Sequence, residues 1–179
     1  MRFKRFLSKL PDTKFLEKYT ERKNGLLGIE VESIVHLSFR DVKETIPEMF
    51  TSGRHEEALF LILKATKKKV KFMRVKRADN FDKLQFVFWI QDQYKAISNL
   101  EAEYLSTPPE QEMIAAGINE LDVLGMTNLV DALAGGDVLK WETVKDLSYE
   151  TLFDKQHKTT IENRISRRLK KNQKNKMSR

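Results

Sequence analysis

Cysteine is absent from this chain of 179 residues, and glycine (seven), proline (four) and histidine (three) are scarce. The lack of cysteine removes disulfides, thiolate nucleophiles and every Cys-based zinc or iron–sulfur site, and it fits a reducing compartment. His36, His55 and His157 lie far apart, and none stands in a metal-ligand spacing such as H-E-x-x-H, so each reads as an ordinary polar residue. No apolar run approaches the roughly 18–20 residues of a membrane-spanning helix, so no membrane contact is expected. The basic start is followed by neither a sustained apolar region nor a small-residue cleavage site, and a secretory signal is not expected. No internal repeat recurs along the chain. Neither phosphate-loop signature surrounds Gly135 and Gly136, which read instead as a helix C-cap and a tight turn. Glu101 and Glu103 lie two apart and face different directions on a helix, and Asp41 and Glu44 lack a third ligand. No serine sits in G-x-S-x-G. No catalytic residue, metal site or cofactor is expected.

What the chain does have is charge. It carries 33 Lys and Arg against 26 Asp and Glu, a net charge of +7. Residues 1–23 hold +5, residues 64–77 hold +8 and residues 164–179 hold +8, so the rest of the chain carries −14. An acidic body with three basic islands points to an anionic partner, either an acidic protein surface or nucleic acid.

Helical grammar runs through most of the sequence. Phe3, Phe6, Leu7 and Leu10 read as one helical face ended near Pro11, and Asp12 as the cap of a second short helix through Phe15, Leu16 and Tyr19. Ile29 to Val35 reads as a short strand or ordered arm. Ser38 followed by Asp41 resembles an N-terminal cap, with Val42, Ile46, Met49 and Phe50 at helical spacing. Thr51, Ser52 and Gly53 break the chain, and Glu56 and Glu57 open the next helix, where the dipole favours negative charge. Residues 67–77 are ambiguous: Val70 and Phe72 alternate with lysines like a strand, but Met73 and Val75 switch face, so a strand and a loop or bulged ribbon stand equal. The longest helix is predicted over residues 80–106, with Phe86, Ile90, Ile97, Leu100 and Tyr104 along one stripe. Thr107, Pro108, Pro109 and Glu110 then open a helix that closes at Gly117. Short pieces follow over 118–124, 128–134 and 138–147, and Ser148 caps a last helix through Tyr149, Leu152, Phe153, Ile161, Ile165 and Leu169. Apolar residues give out beyond Lys170, and residues 172–179 read as a mobile basic tail.

These readings predict a mainly all-α protein, a helical bundle around one long central helix, with extended arms at both ends and a short β element. The expected organisation is an N-terminal arm over 1–37, a helical domain over 38–171 and a basic tail over 172–179. The aromatic residues Phe86, Phe88 and Trp89 read as core or subunit-interface packing, with a nucleic-acid stacking platform as the rival reading. The candidate partner-binding residues are basic: Lys67, Lys68, Lys69, Lys71, Arg74, Lys76 and Arg77 in the middle island, and Arg164, Arg167, Arg168, Lys170 and Lys171 in the last. The lysine-rich set, with Phe72 among its cations, suits phosphate or a diffuse acidic surface. Arg164, Arg167, Arg168 and Lys171 fall at helical spacing, and a stripe of arginine suits carboxylates of a protein partner.

One stretch resembles a known family. The run D-A-L-A-G-G-D over 131–137, then Trp141 and Glu142, Val144, Leu147 to Tyr149, and Leu152 with Phe153, is similar to small structural or assembly proteins of tailed bacteriophages. The pattern combines a short helix, a Gly-Asp turn, a helix with W/Y-x-x-V and an L-[SP]-Y-x-x-[VL]-F start to a last helix. It covers about residues 108–169, and its motifs concern packing. The resemblance implies a head–tail connector component, a portal-associated ring or adaptor assembled in the host cytoplasm and retained in the virion. Its implied partners are the portal or other tail and connector proteins, copies of itself in a homo-oligomeric ring, and DNA in the channel. Two alternatives stand beside it: a tail assembly chaperone and a nucleic-acid-binding protein. The basic island and tail depart from what a transient chaperone would carry and suit a component held near DNA or against an acidic portal.

Overall fold

The protein is mainly α-helical, with one small two-stranded sheet among the described residues. The computed structural model describes residues 3, 7, 21–67, 69–109 and 111–177, without the side chains of residues 174, 175 and 177. Of the helix expected through Phe3, Phe6, Leu7 and Leu10, Phe3 and Leu7 are described and helical; Phe6, Leu10 and the helix expected from Asp12 to Tyr19 lie outside the described residues. The chain forms two compact units, Met1–Ile97 and Ser98–Arg179.

The first unit begins with a hairpin, β1 (Gly25–Leu26) antiparallel to β2 (Ile29–Glu30). Leu27 and Gly28 both turn at positive φ, 60° and 71°, the backbone of a primed two-residue turn that matches strand twist. Gly25 is required for another reason: a Cβ there would run into the Ile29 carbonyl. The expected Ser38 cap is present, its Oγ accepting from the Asp41 amide at 3.1 Å. A π-helical turn, Asp41–Thr45, then leads into α1 (Ile46–Thr51), which ends where Gly53 takes φ +75°.

Next come α2 (His55–Thr66), α3 (Phe72–Arg77) and α4 (Asn80–Leu100). Ala58, Leu59, Ile62 and Leu63 bury one face of α2, and Leu84, Phe86, Val87, Phe88, Ile90 and Ile97 are buried along α4. Where a strand, loop or bulged ribbon was expected, α3 is helical. Phe72 and Val75 are three apart, which would split them between the faces of a strand but joins them on one helix face. Phe72 thereby meets the Phe60 ring at 5.5 Å, and Val75 is fully buried.

Another π-helical turn, Glu101–Leu105, lies in the second unit, so the stretch read as the longest helix is helical to Leu105, but the longest helix is Tyr149–Met177. After α5 (Gln111–Ala115), a 3₁₀ segment, Ile118–Leu124, runs between Gly117 and Gly125, both at positive φ. Helix α6 (Met126–Ala134) ends at Gly135 in the left-handed region, as its C-cap glycine requires. Asp137 caps the short 3₁₀ turn Val138–Lys140 by accepting from the Leu139 amide at 3.1 Å, and α7 (Trp141–Asp146) follows.

Ser148 caps α8 (Tyr149–Met177), accepting from the Thr151 amide at 3.2 Å. Residues 172–177, expected in a mobile tail, are helical. Apolar periodicity has ended there, but Lys and Gln are good helix formers, and they extend a helix already nucleated upstream.

Candidate functional site

The residues of the phage-like pattern are packing residues. Val144, Tyr149 and Leu152 are buried, and the Trp141 indole donates to the Asp131 carboxylate at 3.1 Å, tying α7 to α6. The Tyr149 hydroxyl donates to Glu101 Oε1 at 2.8 Å, and Lys155 reaches the Leu133 carbonyl at 3.4 Å.

Two of the three histidines take up packing positions too, while His36 is exposed. His157 meets the Tyr104 ring at 5.1 Å and Phe153 at 6.2 Å, while His55 meets Phe50 at 5.6 Å and Phe3 at 6.1 Å. Among the described residues no group of His, Cys, Asp and Glu is placed to hold a metal ion. No helix described is long and apolar enough to cross a membrane.

Of the aromatic candidates, Phe86 is fully buried and stacks on Trp89 at 5.8 Å, and Phe88 is buried with the Arg22 guanidinium 5.2 Å from its ring centre. They pack inside the first unit and present no open stacking platform. Phe72, the aromatic residue of the lysine-rich island, leans on Phe60, with the Lys64 and Lys76 ammonium groups 5.9 and 6.0 Å from the two rings. An open apolar groove of about 890 Å³ runs past Met49, Phe60, Leu61 and Phe72.

The middle island is only partly brought together. Lys67, Lys69 and Arg74 converge with Leu27, Ile29 and Val70 around a concavity of about 150 Å³. Among the described residues these three cations have no ion-pair partner. Lys71, Lys76 and Arg77 are exposed on or beside α3, and Lys68 lies outside the described residues.

The last island is split by α8. Arg164 donates to the Ser106 carbonyl at 2.9 Å and toward Tyr104 at 3.4 Å, and Arg167 donates to the Pro108 carbonyl at 3.0 Å. These two arginines satisfy backbone acceptors at the end of the π-helical turn. Arg168, Lys170 and Lys171 remain exposed on α8.

Sequence reasoning missed Lys83, which is buried in the first unit against Glu56. Its sign was available: Lys83, Val87, Ile90, Tyr94 and Ile97 step by four, three, four and three residues along one face of α4.

Two phenols are perturbed. Burial pushes Tyr94 up from its ordinary 10.0, with the Asp41 charge adding to it, while its hydroxyl donates to the Val42 carbonyl at 2.9 Å. Burial likewise raises Tyr149, followed by its bond to Glu101. Above about pH 10 the unfolded chain releases these protons while the folded chain keeps them, so stability present below that pH falls as pH rises. Urea midpoints followed from about pH 8 to about pH 11 are expected to drop less in a Tyr94→Phe/Tyr149→Phe variant than in the parent. Equal slopes would contradict this.

The structure thus defines a mainly α-helical protein. No family model matches this chain, no curated protein matches it in sequence and no solved structure matches its fold.

Proposed function

We propose that this chain is a non-catalytic structural protein of a tailed-phage particle, a portal-associated ring or adaptor of the head–tail connector. The observation that carries the reading is the join between the phage-like pattern and a basic helix. Asp131, Trp141, Val144, Tyr149 and Leu152 build a packed base for α8, whose far end exposes Arg168, Lys170 and Lys171. Such a helix supplies a cationic docking element for acidic protein surfaces, with its root held rigid. Mass spectrometry of purified particles of a phage encoding this chain tests the reading. Stoichiometric presence is expected. Absence from mature particles, with association to tail proteins during assembly, would replace it with the tail assembly chaperone.

A second reading rests on Lys67, Lys69 and Arg74. Three cations around one concavity, without a carboxylate among the described neighbours, suit phosphate oxygens of nucleic acid. Binding of duplex DNA that weakens steeply with salt, and is lost in a Lys67→Gln/Lys69→Gln/Arg74→Gln variant, would support it. Salt-insensitive binding, or none, would remove it.

A further inference from the structure

Charge in the second unit is sorted along the chain. Residues 96–139 contain no Lys, Arg or His and eight carboxylates, whereas residues 163–179 contain eight basic residues and no carboxylate. Each stretch also exposes large apolar side chains.

In the acidic stretch, Val123 is 90% exposed, and Ile114, Leu121 and Leu124 are about half exposed, beside Glu120 and Asp122. On α8, Ile161, Ile165 and Leu169 are 42%, 49% and 58% exposed and recur every four residues. The face that α8 packs inward runs through Leu152, Phe153, His157 and the two carbonyl-bound arginines. Ile161 follows the inward His157 by four residues, about 40° around the helix, and Ile165 and Leu169 each step on by the same angle. The apolar stripe therefore starts at the edge of the inward face and turns steadily outward to Leu169, with Arg168 and Lys176 beside it.

We infer that these two surfaces are the halves of one contact between copies of this chain: the basic, apolar stripe of α8 seats on the acidic, apolar segment 111–124 of the next copy. Charge complementarity selects this pairing. Laying α8 against a second α8 in parallel would set basic residues against basic residues, and pairing two acidic segments would oppose carboxylates. The mixed contact covers both apolar surfaces and sets the three carboxylates of 111–124 against a basic stripe. Because different surfaces meet, each added copy leaves one free half at either end, and the assembly grows until rotation closes it. The inference stands on the surface of the second unit and does not depend on the phage reading. A chain found in particles but never self-associating would overturn this inference and the ring form of that reading, and leave its adaptor form intact.

The test uses paired variants of the full chain. Glu120→Lys/Asp122→Lys reverses the acidic half, and Arg168→Glu/Lys176→Glu reverses the basic half. Sedimentation of the parent is expected to show mass rising with concentration, and each variant alone should remain monomeric with an unchanged helical circular dichroism spectrum. Mixed together, the two variants should associate again, since the two unaltered halves match and the two reversed halves carry opposite charge as well. A monomeric parent at its highest soluble concentration, a variant that still self-associates, or a mixture that stays monomeric would each overturn the inference. Should a variant unfold, cysteine placement decides, and the cysteine-free background makes it clean. Val123→Cys and Ile165→Cys chains mixed under oxidation are expected to cross-link to each other above the level of either alone. No excess would overturn the inference.

Discussion

Glu56→Ala is expected to destabilise the first unit by about 3–5 kcal/mol, because it strands a buried ammonium without its carboxylate. The Lys83 side chain is 1% exposed. Its Nζ donates to Glu56 Oε1 at 2.8 Å and to the Lys76 carbonyl at 2.9 Å, and it lies 5.4 Å from the centre of the Phe3 ring. A lone carbonyl and an aromatic face replace little of the hydration that the ammonium gave up on folding. Lys83→Met should be far milder, within about 1.5 kcal/mol of the parent, since methionine has similar volume and Glu56 retains some access to water. Adding Lys83→Met to Glu56→Ala should recover most of the loss. Urea denaturation of the four proteins reads out the cycle. A Glu56→Ala chain within about 1 kcal/mol of the parent would show that the pair does not hold the core as described.

Phe86→Ala should cost about 3–5 kcal/mol, the range for truncating a large buried aromatic residue and leaving a cavity. Phe86 is fully buried on α4 and stacked on Trp89 at an interplanar angle of 22°. Phe81, five residues earlier on the same helix, is half exposed, and Phe81→Ala should change stability by no more than about 0.5 kcal/mol. The pair separates core packing from a nucleic-acid platform. A stacking platform would lose binding and keep its stability; a core residue loses stability first. An unchanged unfolding midpoint for Phe86→Ala, together with weakened DNA binding, would reverse the assignment.

Local signals carried most of the helix boundaries. Ser38, Asp137 and Ser148 cap through side-chain oxygens within a few residues, and Gly117, Gly125 and Gly135 end elements by taking backbone angles that other residues avoid. Both effects are settled by neighbours in the chain, so they can be read from it. What could not be read depends on partners distant in sequence. The helical α3 is explained by Phe60, twelve residues upstream, whose ring gives Phe72 a surface to cover. The place of Lys83 on the apolar face of α4 was legible, but its partner Glu56, on another helix, was not. Arg164 and Arg167 share a helical face with other basic residues, but they end on the backbone carbonyls of residues 104–108. From sequence these arginines cannot be told from Arg168, which lacks such an acceptor. The middle island follows the same rule: its cations are legible, while the meeting of Lys67, Lys69 and Arg74 depends on the hairpin residues Leu27 and Ile29.

Helix α8 is anchored through Arg167 and then runs on to Met177 with exposed side chains wherever they are described. Its last turns therefore propagate from a fixed root and bear no nucleation cost. Amide protons along this one helix should exchange with deuterium on a gradient, slow near Leu152 and fast near Met177, because opening from the free end disturbs no packed neighbour. That gradient is a built-in ruler. Anything that seats on the basic stripe slows exchange there first, and the residue at which slowing stops marks the edge of the contact.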